Sequence, residues 1–105
     1  MTLVLIKTTV EHLSDAQCLC EQLVAQKLAA CVSIGSTIHS HYVWQNQTHW
    51  VNEYPLLIKT LQSKQSAVCD FLRCHHPYDT PEIVCVACHD VDSDYVQWVE
   101  TTLGC

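Results

Sequence analysis

Basic residues are scarce in this 105-residue chain: Lys and Arg number five against eleven Asp and Glu, for a formal charge of -6. A nucleic-acid binder or a protein held on an anionic membrane needs a basic face, so no nucleic acid and no membrane are expected as partners. Glycine is nearly missing too, with only Gly35 and Gly104, and there is no GxSxG, P-loop or GxGxxG to cradle a phosphate or raise a nucleophile. The only arginine, Arg73, comes late. An acylphosphatase-like chemistry, which wants an arginine in an early glycine-rich loop, is disfavoured. Long hydrophobic runs are absent as well: Met1 to Ile6 is apolar but short, lacks a basic flank and runs into Lys7, which predicts neither a signal peptide nor a membrane span. No nucleophile, base and orienting group stand together, so the expectation is a binding protein, not an enzyme.

Cysteine is plentiful, with eight. In a secreted chain that count would suggest four disulfides, but without a signal the thiols are expected to be reduced, mostly small hydrophobes in apolar runs. The one CxxC, Cys85-Val86-Ala87-Cys88, falls in a strand-like run where positions three apart point to opposite faces, so it does not form a zinc knuckle. Cys18 and Cys20, two apart on a helical stretch, also diverge.

A length of 105 residues predicts one domain, 1-105, with a core small enough to gain from oligomerisation. Thr2 to Thr9 reads as a buried strand. Ser14 and Gln17 have capping-box spacing ahead of Leu19, Cys20, Leu23, Val24 and Leu28, which recur at helical intervals. Cys31 to Ile34 restarts an extended run, Gly35-Ser36 can bend it, and Thr37 to Trp44 continues it. Gln45-Asn46-Gln47 reads as a turn with Asn46 at positive φ, and Trp50 to Thr60 as the return strand.

Arms of about ten residues exceed the usual five or six. The distal aromatics Tyr42, Trp44, Trp50 and Tyr54 have the character of an interface, and a neighbouring subunit is the expected cover. Pro55 cannot donate to a ladder, which places a change of strand partner near it. Ser63 to His75 reads as a second helix with Ala67, Val68, Phe71 and Leu72 inward, and Ile83 to Cys88 as the last strand. Ser93 is the expected cap of a short terminal helix docked through Tyr95, Val96, Trp98, Val99 and Leu103. The order βαββαβ plus a helix is the split βαβ, an α+β sandwich with helices on one face of an antiparallel sheet.

Between the second helix and the last strand lies His75-His76-Pro77-Tyr78-Asp79-Thr80-Pro81-Glu82-Ile83. Each proline fixes its own φ and drives the preceding residue, His76 or Thr80, toward extended geometry, so the segment is a stiff, shaped loop. Two readings stand. The paired imidazoles could hold a soft or borderline cation, or the polar side chains serve only local backbone groups. Tyr78, Asp79 and Glu82 could line a cleft with Lys59, or Glu82 could form an ion pair with Lys59 or Lys7.

Five blocks, Lys27-Leu28-Ala29-Ala30-Cys31-Val32, Tyr42-Val43-Trp44, Leu57-Ile58-Lys59-Thr60, His76 to Ile83 and Tyr95-Val96-Gln97-Trp98, occur in an order and spacing that resemble the CutA divalent-cation tolerance proteins. The resemblance spans nearly the whole chain. It implies a ferredoxin-like subunit with a long hairpin between its second and third strands, a tight homotrimer, and a cytoplasmic role in tolerance of divalent cations, copper especially, without enzymatic activity. It also implies likeness to the PII signalling proteins, which bind small ligands in inter-subunit clefts. By the same resemblance the metal ligands are His75 and His76 plus a cysteine ending the first strand. Lys7 or Thr8 stands there instead, and a protonated lysine does not ligate. Cys31, His39, His41 and Cys74 are the available substitutes; Ser33 and Asn46 replace the asparagine and hairpin glycine usual in the family.

Overall fold

The computed structural model describes residues 1–104. Strand β1, Leu3–Val10, leads to helix α1, Leu13–Ala25; β2, Cys31–Ile34, β3, Ile38–Trp44, and β4, Gln47–Leu61, follow, then a 3-10 turn, Gln62–Lys64. Helix α2, Gln65–His75, β5, Val84–Ala87, and α3, Ser93–Leu103, complete the order. All pairings are antiparallel, in the order β2-β4-β1-β5, with β3 alongside the remaining half of β4. This is the expected ferredoxin-like α+β sandwich, with the second strand of the βαββαβ pattern broken into β2 and β3.

Alternation in β1 explains the layering. Val4, Ile6 and Val10 meet Ala16, Leu19 and Leu23 of α1 and Val68, Phe71 and Leu72 of α2 in the main core, which also takes Leu56 and Ile58 from β4. Each such side chain contributes about 1.5 to 3 kcal/mol on burial, so this layer dominates stability. Leu3 belongs to a second cluster with Ala30, Leu61, Val99 and Leu103, so α3 covers the reverse face and not the face shared by α1 and α2. Val99 and Leu103 dock as expected, whereas Tyr95 and Trp98 stay about two-fifths to one-half exposed.

Helix starts differ from the sequence reading. Helix α1 begins at Leu13, ahead of the Ser14 of the expected capping box; its N-cap is His12, with no side-chain bond. Its first turn is closed by backbone bonds from Asp15 and Ala16 to the His12 carbonyl, so Ser14 is already inside the helix. Asp92, not Ser93, caps α3, its carboxylate accepting from the Asp94 and Tyr95 amides at 3.1 and 3.3 Å. Both differences arise where neighbouring polar residues compete to end the extended chain, and local sequence does not rank them.

Strand β4 organises everything else. Its first half, to Glu53, pairs with β3; from Tyr54 it pairs with β1, and from Leu56 to Lys59 also with β2. Pro55 sits at the changeover, as its missing N–H requires. Its carbonyl accepts from the Gly35 amide at 2.8 Å, at the break between β2 and β3. The carbonyl and the absent N–H of one extended residue face the same neighbour, so the missing donor falls where the ladder is already interrupted. A Cβ on Gly35 would lie 2.8 Å from the Pro55 ring, which is why glycine stands there.

At the far end the turn is tighter than expected. Gln45 and Asn46 both have positive φ, 51° and 63°, so two residues close the hairpin in a type I′ geometry and the return strand starts at Gln47. The hairpin extends the molecule to 44 × 26 × 23 Å. Its tip is wet: Val43 is 67% and Trp50 72% exposed, with Tyr42 and Trp44 about two-fifths exposed. Tyr54, grouped with them in the sequence reading, packs instead against the main core. Replacing Gly35→Ala is expected to cost about 1 to 3 kcal/mol by overpacking against Pro55, measured as a lower urea midpoint with unchanged slope.

Candidate functional site

Helix α2 ends where His76 turns to φ -69°, ψ 137°, the extended geometry demanded by Pro77. The His76 ring is thereby swung under the sheet and left only 8% exposed. Its Nε2 donates to the Thr9 carbonyl at 2.9 Å, and its Nδ1 accepts from the Tyr78 amide at 3.1 Å. That pair of roles fixes the neutral tautomer with hydrogen on Nε2. Burial holds the His76 pKa below the ordinary histidine value, partly opposed by the Thr9 carbonyl and Glu53.

Tyr78 carries the network onward. Its ring meets His76 edge-on at 4.7 Å, and its hydroxyl donates to Glu53 Oε2 at 2.7 Å. The same oxygen accepts from Thr9 Oγ1 at 3.1 Å. Glu53, 6% exposed in the middle of β4, is thus held by two hydroxyls, and burial with this carboxylate raises the Tyr78 phenol well above its usual range. Thr9, Glu53, Tyr78 and His76 form a closed circuit of hydrogen bonds that joins β1, β4 and the proline segment.

Above this circuit, between hairpin and proline segment, opens a cleft of about 660 Å³. Carboxylates of Glu11, Glu53, Asp79 and Glu82 line it together with Tyr78 and His41, and neither lysine nor arginine is in its wall. Of the two readings for Lys59, neither holds: it turns away to the Ser33 hydroxyl, with its ammonium 3.8 Å from Cys31 Sγ. Glu82 pairs with Lys7 at 3.3 Å, both about half exposed, an arrangement worth at most about 1 kcal/mol.

The two histidines do not converge. His75 ends α2 exposed, its ring against Phe71 at 4.5 Å, while His76 points into the circuit with both nitrogens engaged. Of the proposed substitutes, His41 lines the cleft, its Nδ1 2.8 Å from the His49 carbonyl and its ring stacked on Trp50 at 4.2 Å. His39 is tied to Asn52 at 2.6 Å, Cys31 lies beside Lys59, and Cys74 is exposed. Among the described residues no three His, Cys, Asp or Glu side chains gather in a ligand set. One chain therefore offers a cation one free imidazole, one occupied imidazole and an acidic cleft, not a closed coordination shell.

Sequence reasoning does not single out Glu53 and Thr9. A carboxylate two residues before a strand proline, at the centre of the long return arm, is the signal that could have found the first.

Fold and site together define an antiparallel α+β sandwich with a projecting hairpin and an anion-lined cleft against a rigid proline loop. The family model for the CutA1 divalent ion tolerance protein matches residues 4–102. The chain belongs to the CutA family. It is 34% identical over 100 residues to the divalent-cation tolerance protein CutA of Salmonella newport, covering 95% of this chain and 87% of that protein. Among solved structures, CutA1 of Ehrlichia chaffeensis superposes with a TM-score of 0.92 at 31% identity, covering 96% of this chain and 94% of that one. CutA of Synechococcus elongatus gives 0.92 at 33%, with 97% and 90% covered.

The depressed His76 pKa has a testable sign. The unfolded chain protonates His76 near 6.5, whereas the folded chain resists it, so the stabilising contribution is complete above that value and is lost as pH falls through the window below it. Urea midpoints are expected to drop between pH 6.5 and the folded pKa, and His76→Gln, which cannot titrate, is expected to flatten that dependence.

Proposed function

We propose that this chain acts in divalent-cation tolerance as a non-catalytic homotrimer in the cytoplasm, taking up copper or another divalent cation at the His75–His76 segment. Family membership supports the role. The observation that carries the site is an exposed imidazole, His75, next in sequence to a histidine whose burial favours the neutral form, since neutral imidazole is the ligating form. His75 is the first contact. His76 would contribute Nδ1 by releasing the Tyr78 amide, which couples cation uptake to the shape of the proline loop. Because Lys7 stands where a thiol would complete the set and is paired with Glu82, further ligands come from water or from a neighbouring subunit.

A trimer is supported by the aromatic hairpin tip, whose Val43 and Trp50 are left in water by a single chain. Light scattering at micromolar concentration is expected to give three times the chain mass of 11.9 kDa. A monomer at that concentration removes the basis for shared ligands.

A second reading is favoured by the cleft itself. Four carboxylates without a basic residue in the wall suit a cationic small ligand, in a sensor or adaptor of the PII kind. Calorimetric copper titration tests whether a cation goes to the histidines or to the cleft. Saturation at a fixed ratio per chain is expected, weakened about tenfold or more by His75→Ala, abolished by His75→Ala with His76→Ala, and unchanged by Glu53→Gln. Unchanged uptake in the double variant together with loss in Glu53→Gln moves the site to the cleft.

A further inference from the structure

Cys69, buried on α2, and Cys85, half-buried on β5, have their sulfurs 3.4 Å apart, the one thiol–thiol contact among the described residues. Neither lines the cleft or joins the Thr9–Glu53–Tyr78–His76 circuit. Other described thiols have different surroundings: Cys18 accepts from the Gln22 amide, Cys31 faces Lys59, and Cys88 packs in the second cluster.

We propose that Cys69 and Cys85 form a reversible dithiol/disulfide site that, when oxidised, staples α2 to β5 and closes a covalent loop around the proline segment.

Three features support it. The first is proximity: the sulfurs already touch, so bond formation needs side-chain rotation and little backbone movement. The second is what the staple would hold. Strand β5 is the sheet edge, joined to β1 over only four residue pairs, Val4↔Ala87 to Lys7↔Val84. Helix α2 and β5 are linked along the chain solely through the segment carrying His75, His76, Tyr78 and Glu82, so a bond between them restricts the excursions of that segment. The third is access. Cys85 is partly exposed and can meet an oxidant, while buried Cys69 waits behind it as the resolving thiol.

The oxidant is a low-molecular-weight disulfide. The Cys85 sulfur, as thiolate, attacks one of its sulfurs; the oxidant's S–S bond breaks, one half leaves as a thiolate, and a mixed disulfide forms. Cys69, as thiolate, then attacks the Cys85 sulfur, forming the internal bond and expelling the other half. The protein loses two electrons and two protons, and the oxidant becomes two thiols. Burial and the adjacent Cys69 thiol push Cys85 up to about 11, so in the reduced pair at neutral pH its sulfur is held as the thiol and exchange is slow.

The test uses the whole reduced chain in native buffer with a chelator, so its result is independent of the metal reading. Oxidised glutathione is added, free thiols are blocked with N-ethylmaleimide, and the protein is digested without reduction. The expected result is two fewer blocked thiols, a Cys69–Cys85 cross-linked peptide lighter by two hydrogens than the reduced pair, and a melting temperature raised by about 5 °C or more. Dithiothreitol restores the starting state. Cys88→Ser keeps the cross-link and Cys85→Ser loses it. Full blocking of Cys69 and Cys85 after oxidation, a bond mapped to other cysteines, or glutathione remaining on Cys85 would each overturn the proposal. The peptide mapping is read on the unmodified chain, so it does not require any variant to fold.

Discussion

Glu53 is the constraint on which the site depends. A carboxylate in the middle of a buried strand without a cation beside it is costly unless its oxygens are bonded, and the structure supplies two hydroxyls, from Thr9 and Tyr78, to a single oxygen. To bring Tyr78 there, the chain after α2 must turn at His76, and the prolines on either side of Tyr78 make that turn stiff. His76 then fills the space behind Tyr78 and closes the circuit through Thr9 and the Tyr78 amide. The loop is shaped by a buried acid as much as by its own prolines. One consequence is chemical: the more buried histidine of the pair holds the fold together with the same nitrogens that a cation would need.

The second organising element is the length of β4. At fifteen residues it outlasts any one neighbour and serves β3, β2 and β1 in turn. Pro55 and Gly35 meet at the point of exchange, one lacking a donor and the other lacking a side chain, and each absence fits the other. Beyond that point the β3–β4 ribbon projects without helices over it. A two-stranded ribbon with exposed tryptophan and valine is marginal alone in water, so the hairpin tip is the part of this chain least covered by its own core.

Much of the fold is legible in the sequence because it rests on local rules. The apolar, β-branched run from Leu3 to Val10, the helical spacing of Leu19 and Leu23, and the exclusion of Pro55 from a continuous ladder are consequences of backbone geometry acting over a few residues. The departures share one character. Ser14 and Ser93 are the caps expected from the sequence, yet His12 and Asp92 end the extended chain. Hydrophobicity turns Tyr95 and Trp98 inward, but it does not say which face of a terminal helix meets the sheet. Position at a strand end makes both Lys7 and Lys59 candidate partners for Glu82, yet the register against β2 sends Lys59 to Ser33 and leaves the pair to Lys7.

The sequence by itself determined the element order, the stiffness of the proline segment, the break near Gly35 and Pro55, and, through its motif blocks, membership of the CutA family. Each follows from residues close together in the chain or from their linear order. Tertiary structure alone decided which histidine nitrogens are free, that Glu53 is the buried acid, that Glu82 takes Lys7 and that Cys69 lies against Cys85. Those outcomes depend on contacts between residues as far apart as Thr9 and His76, 67 positions along the chain. Hydrogen-bond partnership and desolvation are set by what folding brings alongside, and no local pattern encodes that.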